Sequence, residues 1–208
     1  MINRIELQNI SKRYYNNWLF KNVNFTFDKQ QSVAITGHNG SGKSTLLKII
    51  SGFTVPTKGS ITYHGQATAD TAFEHISMAA PYLDLLHDFT LLENISYFNK
   101  FKPLQAGITH GQLIDFAFLN EATHKPYKYF SSGMKQRIKL ALAALADTDV
   151  VLLDEPLANL DKKGIQWYAE QIVPLLQNRL CIVSTNNPDA EAFFCKHFLE
   201  ITTYKTEA

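Results

Sequence analysis

The stretch Ser32-Val33-Ala34-Ile35-Thr36-Gly37-His38-Asn39-Gly40-Ser41-Gly42-Lys43-Ser44-Thr45 decides how the chain is read. Residues 32–36 are a short apolar strand that runs straight into Gly37. Residues 37–44 then fit the pattern G-x-x-x-x-G-K-[ST], and residues 43–51 read as a helix closed by Gly52. Glycines let a backbone turn its N–H groups inward around phosphate oxygens, and the helix that follows points its positive end at the anion. Lys43 can reach β- and γ-phosphates, and the Ser44 hydroxyl can reach Mg²⁺. His38, Asn39, Ser41 and Thr45 complete the loop. The chemistry is that of a nucleoside triphosphate, with ATP and Mg²⁺ as the expected pair.

Working outward, residues 2–7 and 23–27 alternate apolar and polar positions as half-buried strands do, with Val23, Phe25 and Phe27 on one face. Residues 59–63 and 75–79 are further strands. From 81 to 146 the pattern turns helical. Thr90 and Glu93 have capping-box spacing, and Ser131 opens a long helix with Met134, Ile138, Ala141, Leu142 and Leu145 on one face. Residues 149–153 form an apolar strand, followed by a helix (162–177), a strand (180–184), a helix (189–194) and a last strand (198–201). This spacing predicts an α/β fold with a mainly parallel core sheet, an N-terminal antiparallel β-layer and a helical subdomain at about 81–146; with the phosphate-loop motif at 37–44 it resembles a P-loop NTPase. The 208 residues are expected to make one nucleotide-binding domain.

Composition narrows the function. Hydrophobic residues are 45% and charged residues 19%, and the net charge is +1, so no strong field favours nucleic acid. The apolar stretches are too short to span a membrane, and the first residues do not read as a signal peptide. The expectation is a cytoplasmic protein that reaches the membrane only by docking. Cys181 and Cys195 are expected to be buried thiols.

A second chemical pair ends the strand that begins at Asp149: Asp154 and Glu155, followed by Pro156. In a phosphate-loop protein this strand is expected beside the one feeding the loop. Asp154 would orient Mg²⁺, and Glu155 would act as general base on the attacking water. Taken alone, the same residues also suit a solvated strand exit.

Phe130-Ser131-Ser132-Gly133-Met134-Lys135-Gln136-Arg137 resembles the signature of ATP-binding-cassette (ABC) ATPases, usually written LSGGQ. Ser131 and Gly133 match it, while Phe130, Ser132 and Met134 depart. Leu157-Ala158-Asn159-Leu160-Asp161 resembles the D-loop, and Tyr14 stands where the family has an aromatic that stacks on adenine, although Tyr15 and Trp18 offer the same chemistry. The resemblance covers essentially the whole chain. It implies an ATPase subunit of an ABC transporter that pairs with a second nucleotide-binding domain, in a homodimer, and with a separate integral membrane permease. Ser131 and Gly133 of one subunit would complete the ATP site of the other, and ATP would drive closure of the dimer. The permease contact is expected around residues 81–101, on Tyr82, Leu83, Leu85, Leu86 and Phe89. The C-terminus soon after the last strand resembles compact exporter-type members, and residues 20–47 faintly resemble the haem-exporter ATPase. A non-transport cassette that scaffolds assembly is the alternative.

Two departures bear on turnover. Aligned on Phe89-Thr90-Leu91-Leu92-Glu93-Asn94, the family's Q-loop glutamine falls at Pro81, and its switch histidine falls at Asn186. Asparagine can bond a γ-phosphate through its amide but cannot become a cation near neutral pH. Slow, partner-dependent hydrolysis is therefore expected, with Glu155, Lys43 and Asn186 as the catalytic set.

Overall fold

A computed structural model describes residues 1–205. Three strands, β1 (Ile2–Tyr14), β2 (Asn17–Asp28) and β4 (Lys58–Gly65), form an antiparallel sheet in the order β2-β1-β4. The inward faces carry Ile2, Ile5, Leu7 and Ile10 on β1 and Phe20, Val23 and Phe27 on β2. The first strand continues past Leu7 because the pairing register shifts between Leu7 and Ile10, where Asn9 sits at φ 52°. Asparagine tolerates that left-handed bulge, which interrupts the alternation visible in the sequence.

The five strands β3 (Ser32–Thr36), β5 (Ile76–Ala79), β6 (Val150–Asp154), β7 (Leu180–Thr185) and β8 (His197–Glu200) make a parallel sheet ordered β5-β6-β7-β3-β8. Val150 and Leu152 face one core cluster, beneath the antiparallel sheet, while Val151 and Leu153 face the other. Burial on both sides explains why this strand reads as an unbroken apolar run. One expectation fails: β6 does not lie beside β3. β7 separates them, pairing with β6 through Asp154 and Ser184 and with β3 through Thr36 and Thr185. Spacing along a chain does not encode strand order.

Helix α1 (Lys43–Ile50) packs Leu46, Leu47, Ile49 and Ile50 into the cluster shared with the antiparallel sheet. Residues 81–146 hold α2 (Leu91–Phe101), α3 (His110–Phe116) and α4 (Ser132–Leu145). Thr90 and Glu93 form the expected capping box, and Thr109 with Gln112 forms another. Ser131 caps α4 by accepting the Met134 N–H. The expected helix over 162–177 divides into α5 (Lys162–Trp167), a π-helical turn (Tyr168–Ile172) and α6 (Val173–Leu176). The next is shorter than expected: α7 (Pro188–Glu191) stops before Phe194, and β8 ends at Glu200, one residue short of Ile201. Cys181 and Cys195 are both free and buried, and burial pushes their thiol pKa values up, that of Cys195 to about 12.

Candidate functional site

At the C-terminal end of β3 the chain turns through Gly37–Ser41 into α1. Lys43 is almost fully buried, and its Nζ donates to the Gly37 and His38 carbonyls at 2.8 and 3.2 Å. The lysine thus lies folded along the inner wall of the loop. Gly42 adopts φ 108°, and a Cβ there would stand 2.8 Å from the Phe20 ring, so only glycine fits this N-cap. His38 stays exposed and is held by the Asn39 carbonyl and the Lys205 ammonium. Ser41 is fully buried, yet its hydroxyl has no partner within the protein.

Asp154 ends β6 beside Ser184 of β7. It is 1% exposed, and one carboxylate oxygen, Oδ1, has no hydrogen-bond partner. Burial raises its pKa, opposed by the Ser44 and Ser184 hydroxyls and by the charges of Lys43 and Lys48. An oxygen-lined position between Ser44 and an unsatisfied buried carboxylate fits Mg²⁺, which takes one or two protein oxygens and completes its shell with phosphate and water. Among the described residues no cluster of three or more His, Cys, Asp or Glu side chains could hold a metal without such a ligand.

Glu155 follows in a left-handed conformation (φ 46°), anchored by its N–H to the Ser184 carbonyl at 2.9 Å. For a non-glycine residue this is strained, and it turns the side chain away from the strand and toward the loop. Glu155 shares a cavity of about 300 Å³ with Tyr14, Leu19, Lys43, Ser44 and Thr45. Tyr14 is the aromatic that lines this cavity; Tyr15 is 97% exposed, and Trp18 is ringed by Arg13, Lys21 and Lys58. Asn186, just beyond β7, donates from its amide to Asn39 Oδ1 at 2.8 Å, tying that strand's end to the phosphate loop.

Two supporting residues were not singled out as site residues from the sequence. Gln136, buried on α4, donates to the Pro156 carbonyl at 2.9 Å. Glu191, 7% exposed, accepts from the Leu157 N–H at 3.1 Å and from the Thr185 hydroxyl, and burial raises its pKa. Together they fix the backbone that follows Glu155 from both sides. Both partners come from distant parts of the chain, so no local pattern announces them.

Ser131 and Gly133 stand elsewhere. They line a separate cavity of about 370 Å³ with Asn159 and Asp161, and a Cβ on Gly133 would come 3.1 Å from the Asn159 carbonyl. The two cavities have no lining residue in common.

Pro81 is exposed just after β5, and the ring of Tyr82 next to it lies 3.7 Å from the Lys48 ammonium of α1. Tyr82 and Leu83 line an apolar groove of about 480 Å³ together with Phe53, Phe73 and Phe98, flanked by Lys48 and Lys102. Leu85 instead packs against the core, and Leu86 and Phe89 lie outside the groove. Among the described residues no helix is long and apolar enough to cross a membrane.

Comparison with known proteins agrees with this geometry. A family model described as "ABC transporter" matches residues 20–158. An uncharacterized ABC transporter ATP-binding protein of Bacillus subtilis, YybJ, is 30% identical over 185 residues, covering 88% of this chain and 85% of its own length. The lantibiotic transport ATP-binding protein SrtF of Streptococcus pyogenes is 31% identical over 173 residues, covering 81% and 73%. The fold matches a dimeric bacterial ABC transporter cassette with a TM-score of 0.78, 23% identity and 95% coverage of each chain.

Proposed function

The chain belongs to the ABC transporter family as an ATP-binding cassette, and from that premise we propose that two copies hydrolyse ATP between them to drive a separate membrane permease. The observation that carries this reading is the division of the site. Lys43, Ser44 and Glu155 line one cavity, with the buried Asp154 carboxylate beside Ser44, and Ser131 and Gly133 line another. Two subunits facing each other head to tail would bring both sets to one γ-phosphate.

In that arrangement Tyr14 stacks on adenine, and the loop N–H groups with Lys43 hold the phosphates. Ser44 and Asp154 would hold Mg²⁺, which would supply charge neutralisation at the phosphates. Glu155 accepts the proton of the attacking water, and the first turn of a second copy's α4 binds the γ-phosphate from the other side. Binding two nucleotides favours the closed pair, and loss of phosphate releases it. Asn186 bonds the γ-phosphate as a neutral amide, and with Pro81 in place of glutamine this makes hydrolysis slow. Asn186→His is expected to raise turnover about tenfold in a phosphate-release assay at neutral pH; an unchanged or lower rate would remove Asn186 from the reaction.

The apolar groove flanked by Lys48 and Lys102 suits the permease. Phe53 and Phe73 on its wall are exposed to solvent while Phe98 packs against the core, and the two ammonium groups favour a partner element with acidic ends. A detergent extract should yield a multi-span membrane protein bound to the wild type and not to Phe53→Glu, with the variant's melting temperature unchanged because Phe53 is 72% exposed. Recovery of no membrane protein with the wild type would turn the assignment toward a non-transport cassette.

A further inference from the structure

Helix α3 closes in an uncommon way. The Phe118 N–H donates to the Asp115 carbonyl at 2.9 Å, and the Leu119 N–H to the Ile114 carbonyl at 3.0 Å. This bond pair ends a helix with one residue in the left-handed region, a place that glycine fills by default. Here it is Phe118, at φ 55° and 57% exposed. A phenylalanine is disfavoured in that conformation, and burial within its own chain does not compensate it.

The ring is nonetheless held in place. The Arg137 guanidinium carbon stands 5.8 Å from its centroid, and Arg137 itself donates to Asp161 Oδ1 at 3.2 Å. Phe118 thereby lines the same cavity as Ser131 and Gly133. That cavity has two kinds of wall. The first turn of the 14-residue helix α4 offers N–H groups to an anion. The phenyl ring offers a flat apolar face. A ligand that suits both has a phosphate chain and a planar base.

We propose that Phe118 contacts the purine ring of the ATP held in the phosphate loop of a second copy, so that the base lies between Tyr14 of one subunit and Phe118 of the other. This rests on the composite dimer proposed above and extends it: the second copy would recognise the base as well as the γ-phosphate. Tyr14, 48% exposed beside the phosphate loop, supplies the facing ring. Stacking on aromatic side chains is a recurrent way of holding bases.

The test uses the full chain carrying Glu155→Gln, so that ATP persists. Sedimentation with Mg²⁺ and ATP gives the dimer dissociation constant for this parent, for Phe118→Gly and for Phe118→Tyr. Each dimer contains the contact twice, so Phe118→Gly is expected to weaken the dimer about a hundredfold, with Phe118→Tyr near the parent. Glycine suits the helix end, so the melting temperature of Phe118→Gly should not fall, which separates a lost contact from a lost fold. In parallel, 2-azido-ATP is photolysed in the parent dimer and the adducts are mapped. Adducts on the segments containing Tyr14 and Phe118 support the proposal. A dimer that forms with adducts near Tyr14 alone places Phe118 against protein and overturns it, as does a Phe118→Gly dimer as tight as the parent. Absence of any ATP-driven dimer in the parent overturns the composite site itself, and this inference with it.

Discussion

Glu155→Gln is expected to cut ATP turnover at least about a hundredfold while leaving ATP affinity close to that of the wild type. The glutamine is isosteric and keeps the φ 46° turn, which is anchored by the backbone bond from the Glu155 N–H to the Ser184 carbonyl. It removes only the capacity to accept a proton from water. Nucleotide should still be gripped by the loop, Lys43 and Tyr14, so a long-lived ATP-bound pair is expected to accumulate. Phosphate release measured beside size-exclusion chromatography with Mg²⁺ and ATP checks both halves. Turnover equal to wild type would sink the assignment of Glu155 as base.

Asp154→Asn is expected to have two effects of opposite sign. Without nucleotide the protein should become more stable by about 1 kcal/mol, a rise in melting temperature of about 2–4 °C. A carboxylate that is 1% exposed, with Oδ1 unsatisfied, costs the fold desolvation that a neutral amide reduces. The pH dependence has a definite sign. Burial raises the folded-state pKa above the ordinary 3.8, so folding favours the protonated acid. Its contribution to stability is therefore largest below about pH 4 and is lost as pH rises through the raised folded value. The gap between Asn and wild type should open over that same window and persist at neutral pH. Hydrolysis, by contrast, should fall about a thousandfold, because the amide no longer supplies a charged oxygen to Mg²⁺ beside Ser44. Thermal melts from pH 4 to 8 and a Mg²⁺ titration of ATP binding check the pair of effects. A variant that is less stable and binds Mg²⁺-ATP normally would contradict both.

Much of this was legible in the residues because the chemistry is local. The phosphate loop needs its glycines, lysine and serine in one short run, and the capping box at Thr90 and the cap at Ser131 are each spaced within one turn. The parallel sheet was legible because burial on both faces forces an apolar run such as residues 150–153. What escaped depends on contacts between distant segments. The position of β7 between β3 and β6 is set by packing. The buttresses Gln136 and Glu191 acquire meaning only when the chain folds them against residues 156 and 157. Phe118 escaped for a different reason. Ala117-Phe118-Leu119 reads as continuing helix, and the glycine that normally marks such an end is missing. The bulge at Asn9 likewise concealed that β1 continues to Tyr14.

The division of the site between two cavities also has a kinetic meaning. Under the proposed pairing, each chain would carry half a site and would burn fuel at a rate set by how often it meets its complement, so dilute subunits would be nearly idle whatever the nucleotide concentration. A permease that holds two such chains side by side would replace slow bimolecular encounter with an effective concentration in the millimolar range. Expenditure of ATP would then be confined to the place where it does mechanical work, with no inhibitor required to keep stray subunits quiet.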